Sequence, residues 1–349
     1  MIPRLDESQV MLRDAARGAC GKLARHGTDK RASLTDAWRS YVDLGWTAVA
    51  LPESVGGLNG SLLDAGIIAA EMGRGVLLNH YPETIAMARA LAEAAGDSPS
   101  AEIRDLLEGV AEGRTAILLR QPLEAPVKGA EGTLAPCGAA DAVVIELVGE
   151  VLCAVPLLKV ATRPVKTTRR DGDLLVEDAP AVLLKNGVRL LEGAAARRAW
   201  DRATAIRSVL SAYSLIGAAH AAHSIAFDYA GVRAQFGHLI NNYQAVQHSL
   251  VDVFSTLEAG ELMVLSALGD IDLGAGPDAP SVTTAVAFVR EQIWVAMIKT
   301  YDIMGGVGFM EEHPLSELTR CLLPVLASLG STESCFEGAA AGVRRGAWL

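Results

Sequence analysis

Apolar positions in the last third of the chain recur three or four residues apart. Ile206, Val209, Leu210, Tyr213 and Ile216 fall on one stripe, the spacing at which an α-helix of about 3.6 residues per turn buries a single face. A second stripe, Val282, Val286, Val289, Ile293 and Met297, follows a break at Pro277, Pro280 and Ser281. Asn241 and Asn242 stand where an N-cap would open the helix between them. Residues 193–349 therefore read as a bundle of long antiparallel helices. Between 116 and 192 the pattern shifts to short runs rich in β-formers, AILL, AVVIELV, VLCAVPLL, LLVED and AVLLK, separated by Gly, Pro and Asp, which predicts a small β-domain. Residues 1–115 read as helical again, interrupted by turns such as LPESVGGLNGS, where Pro52, Gly56, Gly57 and Gly60 punctuate rather than continue a helix. The fold class expected is mainly α with a central β-domain, and no internal repeat is visible.

Composition supports this reading and removes several function classes. Half of the 349 residues are apolar but only 5% are aromatic, a balance that favours packed helices over a β-sandwich. A net charge of -10 leaves no basic face for a phosphate backbone, so no nucleic-acid partner is expected. No apolar run approaches the roughly 20 residues that cross a bilayer, and MIPRLDESQV carries acids where a signal peptide is basic, so a cytoplasmic protein with no membrane partner is expected. The five cysteines, Cys20, Cys137, Cys153, Cys321 and Cys335, form no CxxC pair and read as buried free thiols. GxGxxG after a strand, GxxxxGK[ST] and Gly-x-Ser-x-Gly are all missing from the sequence. His220 and His223 share a helical face, but no carboxylate or third histidine beside them in the chain completes a metal site, so a core or interface role is expected. Glu311, Glu312 and His313 lack HExxH spacing and read as a solvated turn.

One cluster stands out chemically. RAQFGHLINNYQAVQH, Arg233 to His248, packs charge, amide, aromatic and imidazole groups between two long helices, and IMGGVGF ends a third at Gly305, Gly306 and Gly308. Arg233 would clamp a diphosphate with its planar fork, Phe236 would cover an adenine or ribose, and the glycine turn would bring backbone N–H groups close to phosphate oxygens. Each feature also has an ordinary reading. An arginine at a helix end is a favourable C-terminal charge, and a GGxG turn is a helix stop.

Taken in order, LPESVGGLNGSLLDAGIIAAEMGRG, AADAVVI, DAPAVLL, YAGVRAQFGHLINNYQAVQHSLVDV and YDIMGGVGFMEEHPLSELTR resemble the acyl-CoA dehydrogenase family over nearly the whole chain. The resemblance implies an N-terminal helical domain over 1–115, a small β-barrel-like domain over 116–192 and a C-terminal four-helix bundle over 193–349. It implies FAD as cofactor and formation of an α,β double bond in an acyl-CoA thioester. In such proteins the RxxFG motif and the GGxGF turn bind the adenosine diphosphate end of a flavin seated chiefly in the neighbouring subunit. Carried over, the cofactor-binding positions are Arg233, Gln235, Phe236, Gln244, Gly305, Gly306 and Gly308, and the FAD would be shared across a subunit interface.

The departures from the family pattern shape the functional expectation. The reaction needs a carboxylate to take the α-proton. Counting from GGxGF, its position falls on Leu329; counting as in the isovaleryl-CoA branch, it falls on Arg207, in a stretch from Ala203 to Gly217 without an acid. CFEGAAAGVRR mimics the base-bearing motif with Glu337 displaced by eight residues, or else Glu333 and Glu337 share the solvated face of a last helix. The stretch LLRQPLEAPVKGAEGTLAPCGAAD lacks the family's Thr-Glu-Pro...Gly-Ser-Asp and Trp-Ile-Thr/Ser elements, no tryptophan lies between Trp46 and Trp200, and Asp302 replaces a frequent Gln. These features resemble the non-catalytic subunit of actinobacterial heteromeric, steroid-type acyl-CoA dehydrogenases. The expectation is an FAD half-site with no catalytic residue of its own, a longer acyl-CoA dehydrogenase subunit as partner, and an acyl-CoA substrate, steroid-derived by analogy. The alternatives are a homomeric dehydrogenase using Glu337 and a flavin-free scaffold on the same fold.

Overall fold

The computed structural model describes residues 5–23, 34–77, 79–120, 133–136, 142–165, 173–176 and 180–344. Its first layer is helical: α1 (Glu7–Leu23), α2 (Leu34–Asp43), α3 (Leu62–Arg74), α4 (Tyr81–Ala95) and α5 (Ala101–Ala111). The glycines of LPESVGGLNGS fold it into turns, and Gly57 is required there because a Cβ would sit 2.1 Å from the Leu51 carbonyl oxygen. Ser61 then starts α3 with a reciprocal cap: its hydroxyl accepts from the Asp64 amide at 3.1 Å, and the Asp64 carboxylate accepts from the Ser61 amide at 2.9 Å. Next to that cap the Leu62 amide donates to Asp272 at 2.9 Å, which ties the start of α3 to the far end of the bundle.

In chain order the strands of the two larger sheets follow α5 and are complete before the longest helix begins. β1 (Ala116–Leu119), β3 (Ala142–Val148), β4 (Val151–Pro156) and β7 (Val188–Glu192) form one sheet in the order β1-β3-β4-β7, with β1 parallel to β3 and the other pairs antiparallel. β2 (Thr133–Pro136), β5 (Thr162–Val165) and β6 (Asp173–Val176) form a second, antiparallel sheet in the order β2-β6-β5. The AVLLK run, expected as a strand, instead forms the short helix α6 (Pro180–Asn186). Pro180 at its first position has its φ preset for a helix and no N–H to lose, and Leu183 is the side chain it buries.

The second helical layer is built on α7 (Gly193–Val232), 40 residues long and roughly 60 Å at 1.5 Å per residue. A small hairpin, β8 (Ala234–Gln235) and β9 (His238–Leu239), leads to α8 (Gln244–Asp272), α9 (Pro280–Met304), α10 (Pro314–Ala327) and α11 (Thr332–Arg344). All ten residues of the two predicted stripes are buried. The cap expected at Asn241 and Asn242 lies too early: Ile240–Asn242 makes a 3₁₀ turn, and α8 begins after Tyr243 without a side-chain cap. Cys20, Cys153 and Cys321 are buried free thiols and Cys335 a half-buried one, while Cys137 lies outside the described residues. Burial pushes the Cys20 thiol up to about 12, where it stays protonated and unreactive. No helix among the described residues is long and apolar enough to cross a membrane.

α3 and α7 touch backbone to backbone. A Cβ on Gly73 would lie 1.8 Å from the Ser214 carbonyl oxygen, and one on Gly217 1.9 Å from that of Ala70. Gly217→Ala is therefore expected to lower unfolding stability by at least about 2 kcal/mol. Gly18→Ala on α1, where a Cβ meets nothing within 4 Å, should raise stability by roughly 0.5 to 1 kcal/mol through helix propensity. Urea denaturation of the two variants checks both signs.

Candidate functional site

The end of α7 is shaped by three conformational steps. Arg233 leaves the helix with φ −79° and ψ 125° while its amide still donates to the Tyr229 carbonyl at 2.9 Å. Ala234 pairs with Leu239 and Gln235 with His238, so Phe236 and Gly237 form a two-residue turn with φ 53° and 83°. Gly237 adopts that region freely, whereas a side-chain-bearing residue there costs about 1–2 kcal/mol. Phe236 is also 92% exposed, so one large apolar side chain carries both backbone strain and solvent contact. Such an outlier persists where the surrounding structure or a function requires it. The hairpin is braced from below: Ile240 N donates to Arg233 O at 2.8 Å, and the Tyr243 hydroxyl donates to Gln235 O at 2.9 Å. The side chains of Arg233, Gln235 and Gln244 are left facing solvent.

The glycine turn arrives at the same end of the bundle. Lys299 Nζ lies 2.9 Å from Asp252 Oδ2 and marks the register of the antiparallel pair α8 and α9. Gln244 lies eight residues before Asp252, and Gly305 six after Lys299, about 12 and 9 Å in the same direction at 1.5 Å per residue. The three glycines do different things. Gly305 (φ 60°) ends α9, and around it and Gly306 nothing lies within 4 Å of where a side chain would begin. Gly308 is a packing residue whose Cβ would press on that of Met304 at 2.9 Å. Bare backbone at Gly305 and Gly306, an unburied guanidinium at Arg233 and an exposed ring at Phe236 fit an adenosine diphosphate group. Beside them Val232, Val307 and Phe309 are exposed, and further back along α9 so are Trp294, Val295 and Ile298, apolar side chains suited to a protein neighbour.

The two base positions read from sequence meet in space. Leu329, 8% exposed, lies in the connection from α10 to α11. Arg207 reaches that connection from α7, its Nη2 donating to Ser328 O at 3.0 Å, and Arg290 Nε donates to Gly330 O at 2.9 Å. Burial holds the Arg207 guanidinium below its usual range, and the Glu83 charge opposes that shift. Neither leucine nor a buried guanidinium accepts a proton from carbon. On α11, Cys335 turns toward this loop, its thiol 3.2 Å from Leu329 O. Glu337, two residues further on, is about 200° around the helix at 100° per residue and is exposed, as is Glu333. Asp302 is exposed on the last turn of α9. Most of the stretch expected to lack the flavin-gripping elements, 121–132 and 137–141, lies outside the described residues.

Family models decide the relationship. That of the acyl-CoA dehydrogenase N-terminal domain matches residues 6–95, and that of the C-terminal domain matches residues 198–343. The chain belongs to the acyl-CoA dehydrogenase family. It is similar to acyl-CoA dehydrogenase IpdE2 of Mycobacterium tuberculosis, 26% identical over 88% of this chain and 89% of that protein. A structure described as the Tcur3481-Tcur3483 steroid ACAD shares its fold with a TM-score of 0.78 at 23% identity, covering 98% of this chain and 99% of that one. The ChsE4-ChsE5 complex from Mycobacterium tuberculosis does so at 0.78 and 18%, covering 98% of each chain.

Two site features escaped the sequence reading. His220, expected to lack a carboxylate partner, has two: Glu261 at 3.7 Å and Glu258 at 3.9 Å, supplied by α8 from 41 and 38 positions further along the chain. His223 turns aside to the Leu250 carbonyl at 3.0 Å. Arg207 was read only as the wrong residue for a base, whereas it anchors the α10–α11 connection. His313 caps α10 by accepting from the Leu315 amide at 3.2 Å, which accounts for the turn.

Because Phe236 packs so little within its own chain, Phe236→Gly and Phe236→Asn are expected to leave stability unchanged or raise it by up to about 1 kcal/mol. A loss beyond about 1 kcal/mol in thermal denaturation would show instead that the ring is a structural element of this chain.

Proposed function

We propose that the chain is the subunit of a heteromeric acyl-CoA dehydrogenase that offers the adenosine diphosphate half of an FAD site and lacks the catalytic base. The observation that carries this reading is the meeting of Leu329 and Arg207: both positions from which the family resemblance would draw a carboxylate lie at one place, and neither holds one. Glu337 is directed away from that place and is a poor substitute. When bound, FAD supplies the acceptor for the hydride leaving the β-carbon of the thioester. This chain's own part is to hold the cofactor's far end. Arg233 pairs with the diphosphate, Phe236 covers the adenosine, Gln235 and Gln244 offer amide contacts, and the exposed backbone at Gly305 and Gly306 approaches the phosphate oxygens.

The exposed apolar surface beside the half-site supports a partner, a longer subunit that supplies ring pocket and base. Two structures of similar fold, one a steroid ACAD and one the ChsE4-ChsE5 complex, support a heteromeric assembly acting on a bulky, steroid-derived acyl-CoA.

In the co-purified complex, Arg233→Ala should weaken FAD retention about ten- to a hundredfold, the usual effect of losing one charge-assisted contact, and Arg233→Lys should restore only part of it. Dialysis with flavin absorbance measures this, and unchanged retention would remove the clamp. Glu337→Gln should leave turnover of acyl-CoA and steroid-CoA thioesters nearly unchanged. A fall of about a hundredfold or more, with FAD content intact, would make Glu337 the base and the chain an enzyme in its own right.

A further inference from the structure

We propose that His220, Glu258 and Glu261 form a binding site for one transition-metal dication, set in the middle of the bundle and separate from the flavin half-site. His220 comes from α7; Glu258 and Glu261, three apart on α8, share one helical face toward it. His220 Nε2 lies 3.9 Å from Glu258 Oε1 and 3.7 Å from Glu261 Oε2, and one ligand atom from each residue falls within 4.8 Å of the others. Those separations are too long for hydrogen bonds. They are what three ligands have before an ion bonded at about 2.0–2.2 Å to each draws them together.

The second observation is the imidazole itself. His220 is only 9% exposed, and its Nε2 atom is buried without a hydrogen-bond partner. It lines a cavity of about 190 Å³ with both glutamates. A buried polar atom left unpaired is costly, and here a metal-ligating nitrogen is the atom left over. The carboxylate opposite is oriented as a ligand needs to be. Tyr213 donates its hydroxyl to Glu261 Oε1 at 2.9 Å, leaving Oε2 toward His220.

Three guanidiniums line the same cavity. Arg17 forms a two-pronged pair with Glu71 at 3.0 and 2.8 Å, Arg74 lies 3.4 Å from the same carboxylate, and Arg13 lies 3.6 Å from Asp14. Glu258 and Glu261 present their oxygens to His220 from the opposite wall of the cavity. One imidazole and two carboxylates select zinc-like ions over magnesium, which prefers oxygen ligands alone, and the cavity has space for water at open coordination positions. His220 is 13 residues from Arg207 and 13 from Arg233, roughly 20 Å along α7 in each direction, so the ion would clasp α7 to α8 without reaching cofactor or substrate.

The test is calorimetric titration of the purified, chelator-treated chain with Zn²⁺, and with Mg²⁺ in parallel. Wild type should take up one equivalent of Zn²⁺ that is absent in His220→Gln and at least about tenfold weaker in Glu258→Gln, with no matching Mg²⁺ uptake. Glu258 is exposed, so its variant will fold even if the buried histidine cannot be replaced. Zn²⁺ should also raise the melting temperature of wild type more than that of Glu258→Gln. No Zn²⁺ uptake by folded wild type, equal uptake by Glu258→Gln, or equal uptake of Mg²⁺ would each overturn the proposal.

Discussion

Direct backbone contact between α3 and α7, with no side chain between Gly217 and the Ala70 carbonyl or between Gly73 and the Ser214 carbonyl, fixes the position of the helix on which the chemistry is mounted. A helix held this closely cannot turn about its axis without a clash, so the direction of each of its side chains is set. Arg207, His220 and Arg233 follow one another at intervals of 13 residues, each interval turning about 220° beyond whole turns at 100° per residue. One spine thus presents three different chemistries: a guanidinium driven inward at Arg207, an imidazole toward α8 at His220, and a cation at the open end of the bundle at Arg233.

The inward guanidinium gives the connection after α10 a structural use. Ser328 and Gly330 lie just past the end of α10, where backbone carbonyls lack helical partners. Arg207 and Arg290 supply donors to these two carbonyls. In this chain the slot is used to cap a helix end and hold a loop, with Leu329 closing it against water. Returning a carboxylate there would place it against two arginines, whose charge would depress its pKa and weaken it as a proton acceptor.

Much of the fold was legible because burial leaves a period in the sequence. The stripes of α7 and α9 were read correctly, since each of their members is covered by a neighbouring helix. AVLLK was misread because a short apolar run carries no period of its own, and Pro180 decided the outcome in favour of a helix turn. The Arg233 and Gly305 motifs were legible as local strings. Their proximity follows from the α8–α9 register, which the Lys299–Asp252 pair makes visible only in three dimensions. The left-handed Phe236 and the division of labour between Gly306 and Gly308 are likewise conformational. The carboxylates facing His220 could not be read at all, because α8 returns alongside α7 only after the intervening hairpin.

The half-site reading assigns the chain one end of a cofactor and no means of holding the other. The most direct measurement is therefore the ratio of FAD to protein in the chain purified alone, compared with the chain co-purified with the longer subunit proposed as its partner. The account predicts a ratio far below one FAD per chain in isolation and a stoichiometric flavoprotein with the partner. One tightly bound FAD per chain in the isolated protein, accompanied by dehydrogenation of an acyl-CoA thioester, would contradict it.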